Sequence, residues 1–357
     1  MLKAIPAAFF LSAVLLAGAL AAAGDAVAGP SATYTQRVAA DEPQLPAAPE
    51  PISPLRRGQD NKIEVITPDT EQGKGRALCS AGALCVGPTQ PLRTLAAALA
   101  VARDGDVIEM IGGTYRGPAR ITRANVTVRG IAGRPHIDCT GLTLSKEKAC
   151  VFLAGNGIVI ENLEISGALA PASEAACVGN ELDRSYTLRG VICHDSQRGV
   201  VSDGGEILIE NSEFYDNRAD NAYLGGGCSV TVRGSSFRDA QTGDEFKSRC
   251  AKTTILDSTF RSTRGSHDID IPDGGETTIY RSTLVKLPGT AGETILAFTS
   301  DSCAHPGAML LKQVHIANTS SSALIQNFDK CPNAPLIFQG VIFDNLRPKL
   351  AGYILMQ

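Results

Sequence analysis

Apolar residues recur in the second half of the chain with a period of about 20–30 residues, and short alternating runs follow them. Two near-copies of one pattern, VTVRGSSF and TTILDSTF, follow one another there, with Gly234 and Asp257 at the same place in each. Each copy precedes a run in which charged and apolar residues alternate, first GDEFKSR and then HDIDIPD. Alternation with a period of two is typical of a β-strand with one buried face. A repeat this short cannot bury its apolar face alone, so the pattern predicts a stacked solenoid.

The same repeat extends over most of the chain. One bend residue anchors each copy, and the intervals between anchors are shorter in the middle of the chain than towards its ends. Two residues before and three residues after each anchor, all sixteen positions are apolar or Cys. We therefore predict an all-β fold, a single-stranded right-handed parallel β-helix (solenoid), with Phe214, Phe237 and Phe260 stacked inside it. The anchors are Asn162, Gly190, Asn211, Gly234, Asp257, Arg281, Gln313 and Gly340.

The N-terminal segment, up to Asp60, has the features of an export signal and a linker and is not predicted to be part of the folded domain. Residues 1–28 have the layout of a signal peptide, with Lys3, a long apolar run, and small residues before Gly29. A retained membrane anchor is the alternative. Residues 29–60 are rich in Pro and Ala, which is typical of an extended linker. We expect the mature protein to be periplasmic or secreted, monomeric, and without a membrane span once the signal is removed.

Residues 61–357 are predicted to form the β-helix domain, and residues 61–105 its N-terminal cap. Within the cap, residues 63–66 favour a short strand and residues 91–103 favour a helix that ends before Gly105. An uncovered apolar end would recruit other chains, so the helix is interpreted as a capping helix. Residues 104–117, which follow it, resemble the opening of the pectate-lyase-like β-helix superfamily.

All ten cysteines lie beyond the signal, and an even number in an exported chain favours disulfides. Cys228 and Cys250 lie at nearly equal distances after their anchors, and Cys303 and Cys331 lie at nearly equal distances before theirs. Each pair therefore stacks on neighbouring coils, within bridging distance. The other three pairs are less strongly specified: Cys79–Cys85, Cys139–Cys150 and Cys177–Cys193.

Composition excludes several functions. A net charge of −4 and a pI near 5.8 argue against nucleic acid as a partner. The chain has no Trp, which excludes a sugar-binding platform built on that residue.

The densest group of candidate functional residues lies in the central coils. Because Ala222, Phe246 and Ile269 are predicted to point inward, strand alternation predicts two outward rows. One solvent-facing cleft would then hold both rows, and this requires Lys247 and Glu245 to face the same side of the coil wall. The alternative is a surface network of ion pairs without a function, in which Lys247 pairs with Glu245 and Asp270. The first row is Asn221, Glu245 and Asp268, the second is Tyr223, Lys247 and Asp270, and Asp244, Arg249 and His267 lie at the margin.

Lys247-Ser248, one coil before Gly265-Ser266, resembles the polysaccharide lyase family of chondroitinase B and alginate lyases. The resemblance implies that Lys247 is the base that removes the proton next to a uronate carboxylate, and that Asn221 is a calcium ligand. It also makes an acidic polysaccharide the expected partner, whether the protein cleaves it or only binds it. Calcium near Asn221, Glu245 and Asp268 is therefore a possible cofactor. Asp270 stands where the family has an arginine, however, and Glu245 is closer to the lysine than the family's calcium-binding acids.

Acidic neighbours would keep Lys247 protonated, whereas a base needs a pKa of about 7–8. Two further functions stay open. Glu245 and Asp268 could act as a retaining glycosidase pair about 5–5.5 Å apart, and Asp268 or Asp270 with Asp244 as an inverting pair. Alternatively, the solenoid binds glycan without catalysis or has a structural role in the envelope. The pair KSR and IDxPxGG also resembles uncharacterised exported bacterial β-helix proteins.

Overall fold

The computed structural model of the protein describes residues 79–144, 148–170, 175–287, 294–319 and 323–357. The predicted signal peptide, the linker and the strand at residues 63–66 lie outside these residues. Within the described part, no helix combines the length and apolarity needed to cross a membrane.

The described residues form parallel strands wound into successive coils around one apolar core. They make a 20-stranded sheet, here sheet A, and a 10-stranded sheet, here sheet B. The elements in chain order are β1 (Leu84–Val86), α1 (Leu95–Val101), β2 (Val107–Arg116), β3 (Ala119–Ile121), β4 (Thr127–Asp138), β5 (Ala149–Leu153), β6 (Ile158–Glu161), β7 (Glu164–Ser166), β8 (Ala176–Asn180), β9 (Tyr186–Arg189), β10 (Ile192–His194), β11 (Arg198–Asp203), β12 (Glu206–Glu210), β13 (Glu213–Tyr215), β14 (Ala222–Gly225), β15 (Ser229–Arg233), β16 (Ser236–Arg238), β17 (Phe246–Ser248), β18 (Lys252–Leu256), β19 (Thr259–Ser262), β20 (Ile269–Ile271), β21 (Glu276–Tyr280), β22 (Thr283–Lys286), β23 (Thr294–Phe298), β24 (Met309–Lys312), β25 (His315–Asn318), β26 (Leu324–Asn327), β27 (Leu336–Gln339), β28 (Ile342–Asn345), β29 (Lys349–Ala351) and β30 (Ile354–Met356).

Each central coil contributes two strands to sheet A and one to sheet B. In one coil, for example, β12 and β13 pair with β15 and β16 of the next coil, while β14 in sheet B pairs with β17. The bend between the two sheet A strands falls on the predicted anchor residue, and all eight anchors have a positive φ of 46–61°. Left-handed backbone favours Gly, Asn and Asp, which explains their recurrence there.

The apolar positions beside the anchors form the core. Fifteen of the sixteen are buried, and Phe343 near the C-terminus is partly buried. Phe214, Phe237 and Phe260 stack inside as predicted, with ring centroids 4.9 and 5.2 Å apart. Phe246 from sheet B meets Phe237 edge-on at 5.5 Å, so the two sheets pack against one another through aromatic rings.

The predicted disulfides are confirmed. All five pairs are bonded, including Cys228–Cys250 and Cys303–Cys331, and no described cysteine is free. A short helix is also present where one was predicted: α1 begins after Thr94, whose side chain accepts a hydrogen bond from the Ala97 backbone N–H. Its buried residues Leu95 and Ala98 join the core. Its role as an end cap remains a prediction.

Candidate functional site

One outward row of residues crosses the whole of sheet B. Strand pairing places its members directly opposite one another on successive coils, without a break at these positions. Lys247 and Asp270 are its only charged members after Arg120 at the N-terminal end. The row, named here the sheet B row, consists of Arg120, Phe152, Gly179, Val201, Tyr223, Lys247, Asp270, Ala297, Gln326 and Ala351.

Lys247 is held between two carboxylates. Its Nζ lies 2.6 Å from Asp270 Oδ2 and 3.2 Å from Asp244 Oδ2, and its side chain is 20% exposed. Burial alone would lower the pKa of Lys247, but the charges and hydrogen bonds of Asp244 and Asp270 outweigh it and raise the pKa above the ordinary value. Lys247 is therefore protonated in this arrangement, as expected for a lysine flanked by acids.

His267 completes a group with Asp244, Lys247 and Asp270, named here the Lys247 cluster. His267 Nδ1 lies 2.6 Å from Asp244 Oδ1. Burial opposes ionisation of Asp244, yet its contacts with His267 and Lys247 lower its pKa. Burial raises the pKa of Asp270, even though Lys247 partly compensates. The two carboxyl groups thus differ in proton affinity, a pattern found in acid–base pairs.

Polar residues around the cluster fix its geometry. Asp220 Oδ1 accepts a hydrogen bond of 2.9 Å from the Asp244 backbone N–H, and Ser300 Oγ donates one of 3.2 Å to Asp270 Oδ1. Arg198 lies 3.2 Å from Asp220 and extends over the Tyr223 ring, 4.7 Å from its centroid. Asp220, Arg198 and Ser300 were not singled out from the sequence. Asp220 and Ser300 lie outside the strands, where alternation gives no signal, and Arg198 is the first residue of β11, one coil before Tyr223.

The first predicted outward row is wrong. Asn221, Glu245 and Asp268 are each 0% exposed and lie inside the coil, so they share no solvent-facing cleft with Lys247. These residues come immediately before the first residue of β14, β17 and β20, respectively. Strand alternation does not apply at this corner, where the chain is still turning. The condition that Lys247 and Glu245 face the same side therefore fails, and with it the predicted single cleft. Tyr223, Lys247 and Asp270 are in register on sheet B, although Asp270 is only 2% exposed.

Asn221, Glu245 and Asp268, which point inward, form hydrogen bonds with polar groups at the corner of the coil. Asn221 Nδ2 donates to Glu245 Oε2 at 2.5 Å, and Glu245 Oε1 accepts from the Ala240 backbone N–H at 3.1 Å. Ser262 Oγ donates to Asp268 Oδ1 at 2.5 Å. Burial raises the pKa of Asp268 to about 7 and that of Glu245 well above its ordinary value.

Lys286, also 0% exposed, adds a cation to this interior group, where burial lowers its pKa although the charges of Asp268 and Glu245 favour the ammonium. Its Nζ donates a hydrogen bond of 2.6 Å to the Ser266 carbonyl.

A family model for the right handed beta helix region matches residues 127–285. An alginate lyase from Paenibacillus sp. str. FPU-7 has a similar structure, with a TM-score of 0.58. The two sequences are 16% identical, and the aligned region covers 73% of this chain and 95% of the lyase chain. The deglycosylated pectin methylesterase from Aspergillus niger is 13% identical, covers 79% and 92%, and has a TM-score of 0.50. No curated protein sequence matches. The protein therefore has a right-handed parallel β-helix fold. At such low identities, the likeness to these two enzymes concerns the fold alone.

The calcium ligands expected in this β-helix do not fit. Asn221 Oδ1 accepts a hydrogen bond of 2.7 Å from Asn217, and Glu245 and Asp268 accept those described above. These oxygens face the interior beside Lys286, whereas calcium takes six to eight oxygen ligands. A better donor set is Asp244, His267 and Asp270, whose ligand atoms lie within 4.8 Å of one another. The Lys247 ammonium contacts both carboxylates of that set.

Arg249 lies apart from the Lys247 cluster in the β-helix. Its guanidinium pairs with Asp273 at 2.8 Å and Asp301 at 2.5 Å, on the next coils. Arg249 therefore ties together the loops that follow the sheet B strands. Any role for it in catalysis remains a prediction.

Proposed function

We propose that this β-helix protein binds an acidic polysaccharide along the sheet B row, with Lys247 as the cation that meets a carboxylate of the polymer. The continuity of the row carries the proposal. Neighbouring strands lie about 4.8 Å apart, so the ten aligned positions span about 40 Å, a length suited to an extended polymer. Asp270 and Ala297 are 2% and 0% exposed, so the polymer would contact the row mainly at its other positions. Apart from Arg120 at the N-terminal end, the charged members Lys247 and Asp270 lie near the centre, and most of the other members are apolar or small.

Lys247 retains capacity to bind a ligand. An ammonium group has three N–H donors, and among the described residues Asp244 and Asp270 occupy two of them. The side chain is 20% exposed, so the third donor can reach a polymer lying on the row. Tyr223, one coil earlier in the same row, presents an aromatic ring that Arg198 holds in place.

Lyase chemistry is the second candidate, and one observation favours it. Asp244, His267 and Asp270 form a donor set that could hold a cation. A bound cation would withdraw both carboxylates from Lys247, and the lysine pKa would then fall towards the range of a base. Uronate cleavage at Lys247 would therefore require the cation.

Fewer carboxylate pairs could act as a glycosidase pair than the sequence suggested. Glu245 and Asp268 are buried in the core and cannot touch a substrate. Asp244 and Asp270 remain, but atoms of their carboxylates lie within 4.8 Å of each other. An inverting enzyme needs carboxyl groups about 6.5–9.5 Å apart, so this pair would suit only a retaining mechanism.

Affinity electrophoresis tests the binding proposal. Purified protein migrates through native gels that contain alginate, polygalacturonate or neutral dextran. We expect retardation by the uronate polymers only, and we expect Lys247→Met to lose most of it. Lys252→Met is the matched control, because Lys252 is exposed on β18 in sheet A. Equal retardation of both variants, or retardation by dextran alone, contradicts the proposal.

Product analysis of the same mixtures separates the chemical alternatives. A lyase produces unsaturated ends that absorb in the ultraviolet, and only with an added divalent cation if the mechanism above holds. A hydrolase produces reducing ends without that absorbance, and a binding protein produces neither.

We also propose that the protein is exported, because its ten cysteines form five disulfides and such bonds persist in oxidising compartments. Helix α1 is proposed to cap the N-terminal coil. Cleavage of residues 1–28 and a monomeric state are part of the same proposal. Mass spectrometry of the exported protein tests the cleavage, and a mass that retains residues 1–28 contradicts it.

A further inference from the structure

A second group of chemically active side chains lies on sheet A, on strands remote in sequence from the Lys247 cluster. His136 is in β4, Glu164 in β7 and His194 in β10, and these strands belong to three successive coils. His136 pairs in register with Glu164, while His194 pairs with Ser166, two residues further along the coil. The side chains of His136, Glu164 and His194 project from the outer surface, since their sequence neighbours Ile137, Ile165 and Cys193 lie in the core.

Both imidazoles converge on one carboxylate oxygen. His194 Nε2 lies 3.2 Å and His136 Nδ1 lies 3.8 Å from Glu164 Oε1. The three side chains offer ligand atoms that all lie within 4.8 Å of one another. Tetrahedral zinc with ligands at about 2.0–2.1 Å separates its ligand atoms by about 3.3 Å. The observed separations therefore need a closure of roughly 1.5 Å or less to hold an ion.

The far side of each ring is held by an outer partner. His136 Nε2 lies 2.7 Å from the buried Ser166 Oγ, and His194 Nδ1 lies 2.7 Å from Asp195 Oδ2. Histidines that bind metal typically have their second ring nitrogen fixed in this way, by a hydrogen-bonding group outside the metal's own ligands. The His194 ring also stacks on Tyr215, with centroids 5.0 Å apart and planes 4° apart. Its orientation is thus set by two contacts independent of Glu164.

We propose that His136, Glu164 and His194 form a binding site for one zinc-class divalent ion, with solvent completing its coordination. The three side chains are 13–31% exposed, so an ion can enter. Two imidazoles and one carboxylate favour zinc or its transition-metal neighbours over calcium and magnesium, which prefer all-oxygen sites. No thiolate competes for such an ion among the described residues, because their cysteines are all in disulfides.

Isothermal titration of the untagged protein with ZnCl2 tests this site, with CaCl2 as the comparison. We expect one Zn²⁺ per chain with a Kd of about 10 μM or tighter, and no comparable Ca²⁺ binding. His194→Asn and His136→Asn should each abolish the site. Asp195→Asn should weaken binding about 10–100-fold, because it removes only the outer partner. Asn tolerates the left-handed backbone of Asp195, where φ is 50°.

Two matched controls locate the ion. His315→Asn removes a histidine that contacts Asp344 on the same sheet, and it should leave zinc binding unchanged. His267→Asn removes the histidine of the other donor set. The Lys247 ammonium contacts both carboxylates of that set and so competes with an ion there, and the change should also leave zinc binding unchanged. The proposal is overturned if no saturable zinc site is found, or if His267→Asn alone abolishes it. Circular dichroism without zinc checks that each variant folds. If His194→Asn does not fold, His136→Asn and Asp195→Asn still test the site.

Discussion

Replacing Asp268 by Asn should change how the stability of the protein depends on pH. Asp268 is 0% exposed, and burial raises its pKa from the ordinary 3.8 to about 7. Its Oδ2 has no hydrogen-bond partner among the described residues, so the folded protein favours the neutral acid. A raised pKa stabilises the fold below pH 3.8, and this contribution is lost as the pH rises towards about 7.

The expected magnitude follows from the pKa change. Each pKa unit corresponds to about 1.4 kcal/mol, so ionisation of Asp268 should cost the native state about 4 kcal/mol by pH 8. Asn has nearly the same shape, can still accept the hydrogen bond from Ser262, and does not ionise. Asp268→Asn should therefore match the wild type near pH 4 and exceed it by up to about 4 kcal/mol at pH 8.

Urea unfolding at unit pH steps from 4 to 8 measures this difference, provided that the slopes with urea are equal in both proteins. Asp257→Asn is a control of opposite sign, because its bidentate contact with Arg281 lowers the pKa of Asp257. The Asp257→Asn protein should be less stable than the wild type at neutral pH, and the difference in stability should shrink as the pH falls. If wild type and Asp268→Asn lose stability in parallel between pH 4 and 8, the buried neutral acid is refuted.

Two further predictions concern the scaffold. Phe237→Ala should cost about 3–5 kcal/mol in urea unfolding, because Phe237 is 0% exposed between two stacked rings, whereas the partly buried Phe343→Ala should cost less; equal losses would contradict the stack. Replacing Cys228 and Cys250 together by Ala should cost about 2–5 kcal/mol while the far-ultraviolet circular dichroism of the fold persists, and an unchanged melting temperature would contradict a stabilising bond.

Much of the fold follows from local rules that act once per coil. The bend residue of each repeat must adopt a positive φ, and its apolar neighbours must face the core, so both recur at a visible spacing. Arg281 and Gln313 keep this conformation without being Gly, Asn or Asp, because the flanking coils impose it. The disulfides on neighbouring coils followed from the same register, since residues at equal distance from their anchors stack.

The candidate site was only half predictable. Tyr223, Lys247 and Asp270 lie within strands and directly in register, where side chains alternate strictly. Asn221, Glu245 and Asp268 lie one residue before a strand, and the corner turns them into the core instead. Lys247 consequently pairs with Asp244 and not with Glu245.

Lys286 and the group of His136, Glu164 and His194 gave no signal in the sequence. Lys286 is a charged residue at an inward strand position, which alternation alone assigns to the core without showing what neutralises it. The two histidines and Glu164 come from three different coils of unequal length, so no fixed spacing connects them in the sequence. Only the three-dimensional register brings such residues together.

A crystal structure of the protein with a short uronate oligosaccharide tests the central claim most directly. We expect sugar units on the outer face of sheet B, along the row that contains Tyr223, Lys247 and Asp270, with one carboxylate within hydrogen-bond distance of Lys247 Nζ. Sugar bound on sheet A, or on sheet B without contact to Lys247, would contradict it.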